Sequence, residues 1–224
     1  MGKDNQPKVR QSAQLARKVG RRAGYDRILI VTEGSKTEPL YLGEIRKEFR
    51  LQTANVQVQH SQLGTSPIQV VEYAEHLFVN GDRARNIQPR VFEQVHAVFD
   101  RDDHESYHDA LAKAAALNGR LLNDVKQKVK FLAITSVPCF ELWLLLHFED
   151  VLAPLHRTDV YRCLRQYLID YDKGLTGHYA QTCQHLDVAT QRAKRLAERT
   201  TAYDGVESFT DMHRLVHLLT TLKT

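Results

Sequence analysis

The chain has few cysteines, no long apolar run and a single tryptophan. Its three cysteines, Cys139, Cys163 and Cys183, are an odd number without paired spacing. That argues against a disulfide framework and for a reducing compartment, so a cytoplasmic location is expected. No apolar stretch approaches the ~20 residues that span a bilayer, so no membrane partner is expected. The N-terminus is basic but has no apolar segment behind it, so no secretory signal is expected. No internal repeat or low-complexity segment is visible. What remains is a chain of 224 residues, 42% hydrophobic and 26% charged, long enough for a proper core and for one or two domains.

The formal net charge of +4 is unevenly spread. Residues 1–23 carry Lys3, Lys8, Arg10, Arg17, Lys18, Arg21 and Arg22 against Asp4 alone, a charge of +6. The remaining 201 residues carry a net −2. The sequence therefore describes a basic, disordered tail on a nearly neutral body. Such a tail either contacts nucleic-acid phosphates by counterion release or is simply a solvated terminus.

The body alternates strand and helix patterns. Ile28-Leu29-Ile30-Val31 is a β-branched run with apolar residues on both faces, as in a buried parallel strand. Tyr41, Ile45 and Phe49 recur at helical spacing. Val56–Gln59 reads as a second strand, Val95–Phe99 as a third and Phe131–Thr135 as a fourth, with helical stripes between them. This β-α-β-α-β-α-β order predicts a parallel four-stranded sheet flanked by helices over residues 24–136. After Pro138 the pattern is helical only, and residues 137–224 are expected to form an all-helical extension packed on the core.

In an open parallel sheet, ligands collect at the carboxyl ends of the strands. Glu33 follows the first strand, Asp100 ends the third, and Asp102 lies two residues on. If the chain stays extended, the Asp100 and Asp102 side chains point the same way and share a hard divalent cation such as Mg²⁺. Glu33, arriving from a neighbouring strand, completes the site or moves a proton. The ordinary alternative is that these acids cap backbone N–H groups. Lys36 is either a first-turn helix residue or a phosphate contact.

These residues also carry a resemblance. Ile30-Val31-Thr32-Glu33-Gly34-Ser35-Lys36-Thr37-Glu38-Pro39, Phe99-Asp100-Arg101-Asp102-Asp103-His104, and Pro138-Cys139-Phe140-Glu141-Leu142-Trp143 through His147-Phe148 resemble blocks of the RloB-like family. Ser208-Phe209-Thr210-Asp211-Met212-His213-Arg214-Leu215-Val216 resembles its last motif, and the blocks follow the family's order. Thr32 stands where the family usually has cysteine, and Val137 where it has asparagine. The family is associated with bacterial restriction and phage-defence loci and is similar to the wider Toprim group. That group's pattern, a Glu after the first strand and an Asp-x-Asp after the third, falls on Glu33, Asp100 and Asp102. The resemblance implies a Toprim-like fold and Mg²⁺- or Mn²⁺-dependent phosphoryl transfer on DNA or RNA. It also implies possible partner proteins encoded in the same defence locus. No nucleophilic tyrosine can be nominated, so a nuclease is expected rather than a topoisomerase. A non-catalytic nucleic-acid-binding accessory protein is the alternative.

Other residues have two readings. Glu141 either favours a helix N-terminus through the macrodipole or is a further metal ligand. Cys139 is read as a small buried hydrophobe and His147 as a structural histidine. His104-Glu105-Ser106-Tyr107-His108 matches the H-E-x-x-H pattern of zinc hydrolases, which leaves a zinc peptidase as a third, weaker reading. His213 and His217 share the spacing without the glutamate. Arg214, beside Asp211 and His213, is a solvated residue at a helix start or a phosphate ligand.

Overall fold

A computed structural model describes residues 26–53, 55–203 and 208–222. The basic tail expected at 1–23 lies outside the described residues. The first strand, β1 (Ile28–Thr32), leads into helix α1 (Thr37–Glu48). Then follow β2 (Val56–His60), α2 (Pro67–Asn80), β3 (Gln94–Asp100), α3 (Tyr107–Leu117) and β4 (Lys130–Val137). Beyond β4 come α4 (Glu141–Leu145), α5 (Arg157–Tyr167), α6 (His178–Thr182), α7 (Leu186–Arg199), β5 (Phe209–Thr210) and α8 (Met212–Thr221).

The sheet order is β2-β1-β3-β4-β5. The first four strands pair in parallel, and β5 is antiparallel to β4. The sheet therefore has five strands where the sequence pattern predicted four, and the stretch 137–224 is not wholly helical. Strand β5 has only two residues, too few for an alternating pattern to show. It is held by its register, Thr210 beside Ser136 and Phe209 beside Val137. The hydroxyls of Ser136 and Thr210 are also 2.9 Å apart.

Strand alternation divides the core into two layers. Ile28, Ile30, Val56, Val98 and Ile134 face one layer, together with Tyr41, Leu42 and Ile45 of α1. The same layer takes in α4 and the buried stripes of α5, α7 and α8, so the two halves of the chain share one apolar cluster. Leu29, Val31, Val95, Ala97, Phe99 and Phe131 face the other layer, against α2 and α3. Apolar residues on both faces of β1 and β3 are thus required by helices on both sides.

Local signals set the boundaries. Ser66 and Gln69 form a capping box at the start of α2, and Pro67 sits where its missing N–H costs nothing. Gly81 ends that helix at φ +69°, and a Cβ there would meet the Ile87 carbonyl oxygen at 2.5 Å, so the turn into β3 needs glycine. The apolar stretch after Pro138 is buried on every side, as its composition demands: Leu142 to Leu146 have no exposed surface. Trp143 anchors it, its indole N–H donating to the Tyr41 hydroxyl at 3.0 Å.

This anchor yields a stability prediction. Trp143→Ala should cost about 3–5 kcal/mol through the cavity it leaves. Tyr41→Phe should cost about 1–2 kcal/mol, because the buried indole N–H loses its acceptor. Urea denaturation checks both, and a Trp143→Ala loss below about 1 kcal/mol would contradict this packing.

Candidate metal centre

Adjacent parallel strands carry the first two acids to one end of the sheet. Thr32 pairs with Val98, two residues before the end of β3. The Glu33 N–H donates to the Val98 carbonyl at 2.9 Å, which fixes the turn after β1 against β3. In return the Asp100 N–H donates to Glu33 Oε2 at 3.0 Å. Asp100 is itself buried, with 7% of its surface exposed.

Asp102 reaches the site by a different route from the one its spacing predicted. The chain does not stay extended: β3 stops at Asp100, and Asp102 has φ +39° in the left-handed region. Aspartate tolerates that region better than most residues. The turn is held by Arg101 N–H donating to the Ser136 carbonyl at 2.9 Å and Asp102 N–H donating to the Pro138 carbonyl at 3.3 Å. Asp102 Oδ2 accepts from Arg157 Nη1 at 2.5 Å, while its Oδ1 is buried without a partner.

The same turn brings in His104. Its Nε2 is 3.8 Å from Glu33 Oε1. Ligand atoms of Glu33, Asp102 and His104 all lie within 4.8 Å of one another, compact enough to hold one metal ion. Helix α3 begins only at Tyr107, so His104 and His108 do not share a helix face and the H-E-x-x-H arrangement is not formed. His108 instead stacks against Tyr203, with ring centroids 6.5 Å apart.

Two more carboxylates close the cluster. Glu38, in the first turn of α1, is buried. Its carboxylate lies over Gly34, where a Cβ would come within 2.7 Å of Glu38 Oε2. Glu141, in the first turn of α4, is only 1% exposed. Its Oε1 accepts from the Tyr171 hydroxyl at 2.7 Å and lies 3.4 Å from Lys173 Nζ. Its Oε2 is buried without a partner. Two buried carboxylate oxygens with no hydrogen-bond partner among the described residues, Asp102 Oδ1 and Glu141 Oε2, are what a hard divalent cation would satisfy.

Burial and mutual repulsion shift Glu33, Glu38 and Asp100 in the same direction. Burial raises Glu33 to about 7, with Asp102 adding to the rise and Arg157 and Lys173 opposing it. Burial likewise raises Glu38 to about 7, reinforced by Glu141 and Glu33. Asp100 stands well above the usual carboxylate range, first from burial and then from Glu38, Glu141, Glu33 and Asp102. Two cations answer this charge. Burial alone would lower Lys173, but Glu141 and the Tyr161 hydroxyl outweigh it and hold it above its ordinary value. Arg157 is raised in the same manner, by Tyr161 and Asp102 against burial.

The remaining candidates lie elsewhere or play other parts. Lys36 is the exposed N-cap of α1, its ammonium beside Gly174. Arg214 is 66% exposed and pairs with Asp211 at 3.2 Å. The two cavities it lines contain none of the five acids. His147 is buried with Nδ1 2.9 Å from the Trp143 carbonyl, and Cys139 is buried and free. His213 is buried, with Nδ1 3.1 Å from the Thr210 carbonyl. Sequence reading missed Glu38, Arg157, Tyr171 and Lys173 as members of the site. For Glu38 a signal existed, since an acid five residues after Glu33 and four after Gly34 sits at a helix start. Arg157 opens helix α5 on its polar side, and Tyr171 and Lys173 follow that helix, where polar residues carry no signal of their own.

The fold and site together define an α/β protein with an acidic candidate metal centre at the carboxyl ends of its parallel strands. The family model for RloB-like proteins matches residues 28–219, and the chain belongs to that family. No curated protein and no solved structure matches it.

The clustered acids make stability depend on pH. An unfolded Glu or Asp titrates near 4, whereas Glu33 and Glu38 titrate near 7 in the fold and Asp100 higher than its unfolded value. Below about pH 4 both states hold these protons and the full stability is present. As pH rises towards 7 the unfolded chain releases protons that the fold retains, so stability falls. The metal-free melting temperature should therefore drop between about pH 5 and pH 8, and Mn²⁺ should restore it more at pH 8 than at pH 5. Asp100→Asn should raise the metal-free melting temperature at pH 8 and shrink the gain from Mn²⁺. Thermal melts with EDTA and with Mn²⁺ read both. A melting temperature that rises steadily with pH in EDTA would contradict the arrangement.

Proposed function

We propose that this chain is a Mg²⁺- or Mn²⁺-dependent nuclease of Toprim type, acting on nucleic acid within an RloB-like bacterial defence system. The observation that carries the reading is the convergence of Glu33, Glu38, Asp100, Asp102 and Glu141, with Asp102 Oδ1 and Glu141 Oε2 buried and unpartnered. Such a concentration of desolvated negative charge disfavours the fold, and a site kept at that cost suits a cation-dependent function.

Hard oxygen donors fit Mg²⁺ or Mn²⁺, with His104 as an additional nitrogen donor. When bound, such an ion stabilises the charge that develops on the phosphate oxygens of a phosphodiester. Asp100 and Asp102 would hold it, and Glu141 would be a further ligand. Glu33, whose carboxyl titrates near 7, is a ligand or the group that takes up and returns a proton at neutral pH. The Asp100 N–H keeps Glu33 Oε2 oriented for either role. Arg157 and Lys173 offset the excess negative charge near the substrate.

One observation favours a second reading, a non-catalytic nucleic-acid-binding accessory protein. Arg157 and Lys173 already neutralise Asp102 and Glu141 in part, as in a purely structural network. Cleavage assays on single- and double-stranded DNA and RNA separate the two. Wild type should cleave at least one of these with Mg²⁺ or Mn²⁺ and none in EDTA. Glu33→Gln, Asp100→Asn and Asp102→Asn should each lose about 100-fold or more while remaining folded. Folded variants that cleave at the wild-type rate would overturn the residue assignment. Binding in EDTA without cleavage under any divalent ion would establish the second reading.

A further inference from the structure

We infer that the concave surface between α5 and residues 171–173 is the track along which an unpaired nucleic-acid strand reaches the acidic centre, an assignment that rests on the nuclease reading above. A cavity of about 880 Å³ opens there, lined by Tyr161, Arg162, Arg165, Tyr171 and Lys173 among others. It adjoins the acidic centre, because its wall residues Tyr171 and Lys173 both contact Glu141. Arg157, on the first turn of the same helix, contacts Asp102. A ligand in the cavity is therefore one side chain away from Glu141.

The lining has the chemistry of a polyanion site. Arg162, Arg165 and Lys173 face it, with Asp172 the single acid among its walls. Arg162 is 73% exposed and bonded to Asp159 at 2.8 Å, an exposed pair of the kind that contributes little and is easily exchanged for a phosphate. Arg165 has no carboxylate partner among the described residues, and it lies one helical turn after Tyr161. Between the cations stands the Tyr161 ring, with the Arg157 guanidinium 5.8 Å and the Lys173 ammonium 5.4 Å from its centroid.

Rings and guanidinium planes interleaved in this way suit bases whose faces are free, and bases stacked inside a duplex do not present them. Recognition would be independent of sequence, with phosphates on Arg162 and Arg165 and base faces on the exposed guanidinium planes beside Tyr161, whose own ring already carries Arg157 and Lys173. The site differs from the basic tail, which offers charge without aromatic surface.

The test is fluorescence anisotropy with the full chain in EDTA, using a fluorescein-labelled single-stranded oligonucleotide and its matching duplex across a salt titration. R162Q/R165Q should bind the single strand about tenfold more weakly at low salt, with the log–log salt slope smaller by about 1.4. Both side chains are exposed and the buried Val160 and Leu164 are untouched, so the variant should keep its melting temperature. R83Q/R90Q removes the same charge from the loop between α2 and β3, at the amino ends of the strands, and should bind as wild type does. Unchanged affinity in R162Q/R165Q, an equal loss in R83Q/R90Q, or preference for the duplex would overturn the assignment. No metal-dependent turnover enters this measurement. A protein that shows the R162Q/R165Q effect but never cleaves would refute the nuclease reading alone, and one that cleaves without the effect would refute the strand track alone.

Discussion

The repulsion among five desolvated carboxylates is the constraint on which the rest of this structure depends. Glu33 and Asp100 are forced together because β1 and β3 are neighbours in the sheet. The left-handed turn at Asp102 and the first turns of α1 and α4 then bring three more acids to the same end. Left unanswered, that charge would open the end of the sheet. The chain answers it in three ways: protons retained by the acids, the cations Arg157 and Lys173, and backbone N–H donors such as that of Asp100. A divalent cation would be a fourth, and it alone would engage the two oxygens left without partners.

The opposite end of the sheet shows acids that are directly paired in the same molecule. Arg27, just before β1, donates through its side chain to Glu93 at 2.8 and 3.2 Å and to Asp124 at 3.0 Å. Its main-chain N–H also reaches Glu93, at 2.7 Å. There a cation meets acids in good geometry, and the arrangement clamps the turns before β1 and β3 together. The carboxyl end gathers five acids against Arg157 and Lys173, and its acids are more deeply buried. One end of the sheet is built for stability, and the other gives up stability in the manner of a functional site.

Much of this was legible in the sequence, for identifiable reasons. β1 and β3 are apolar on both faces, so their burial in a parallel sheet and their carboxyl-end acids could be read directly. The all-round apolar stretch at 142–146 announced its own burial. Other features left no such trace. Strand β5 is two residues long and is defined by cross-strand partners, not by any pattern of its own. The site role of Glu38 was hidden because an acid in the first turn of a helix has an ordinary explanation in the helix dipole. Arg157, Tyr171 and Lys173 come from segments more than 50 residues along the chain from Asp100, and only the packing of α5 beside α4 places them. The spacing argument for Asp100 and Asp102 assumed an extended chain, whereas the backbone turns between them. Both residues still lie at the centre, held by different contacts.

The most direct measurement is an anomalous difference map, recorded at the manganese absorption edge, from crystals of the full chain equilibrated with Mn²⁺. The account predicts one dominant peak within coordination distance of Asp100 and Asp102, beside Glu33 and Glu141. A map with no peak among these carboxylates, at a pH where they are ionised, would contradict it.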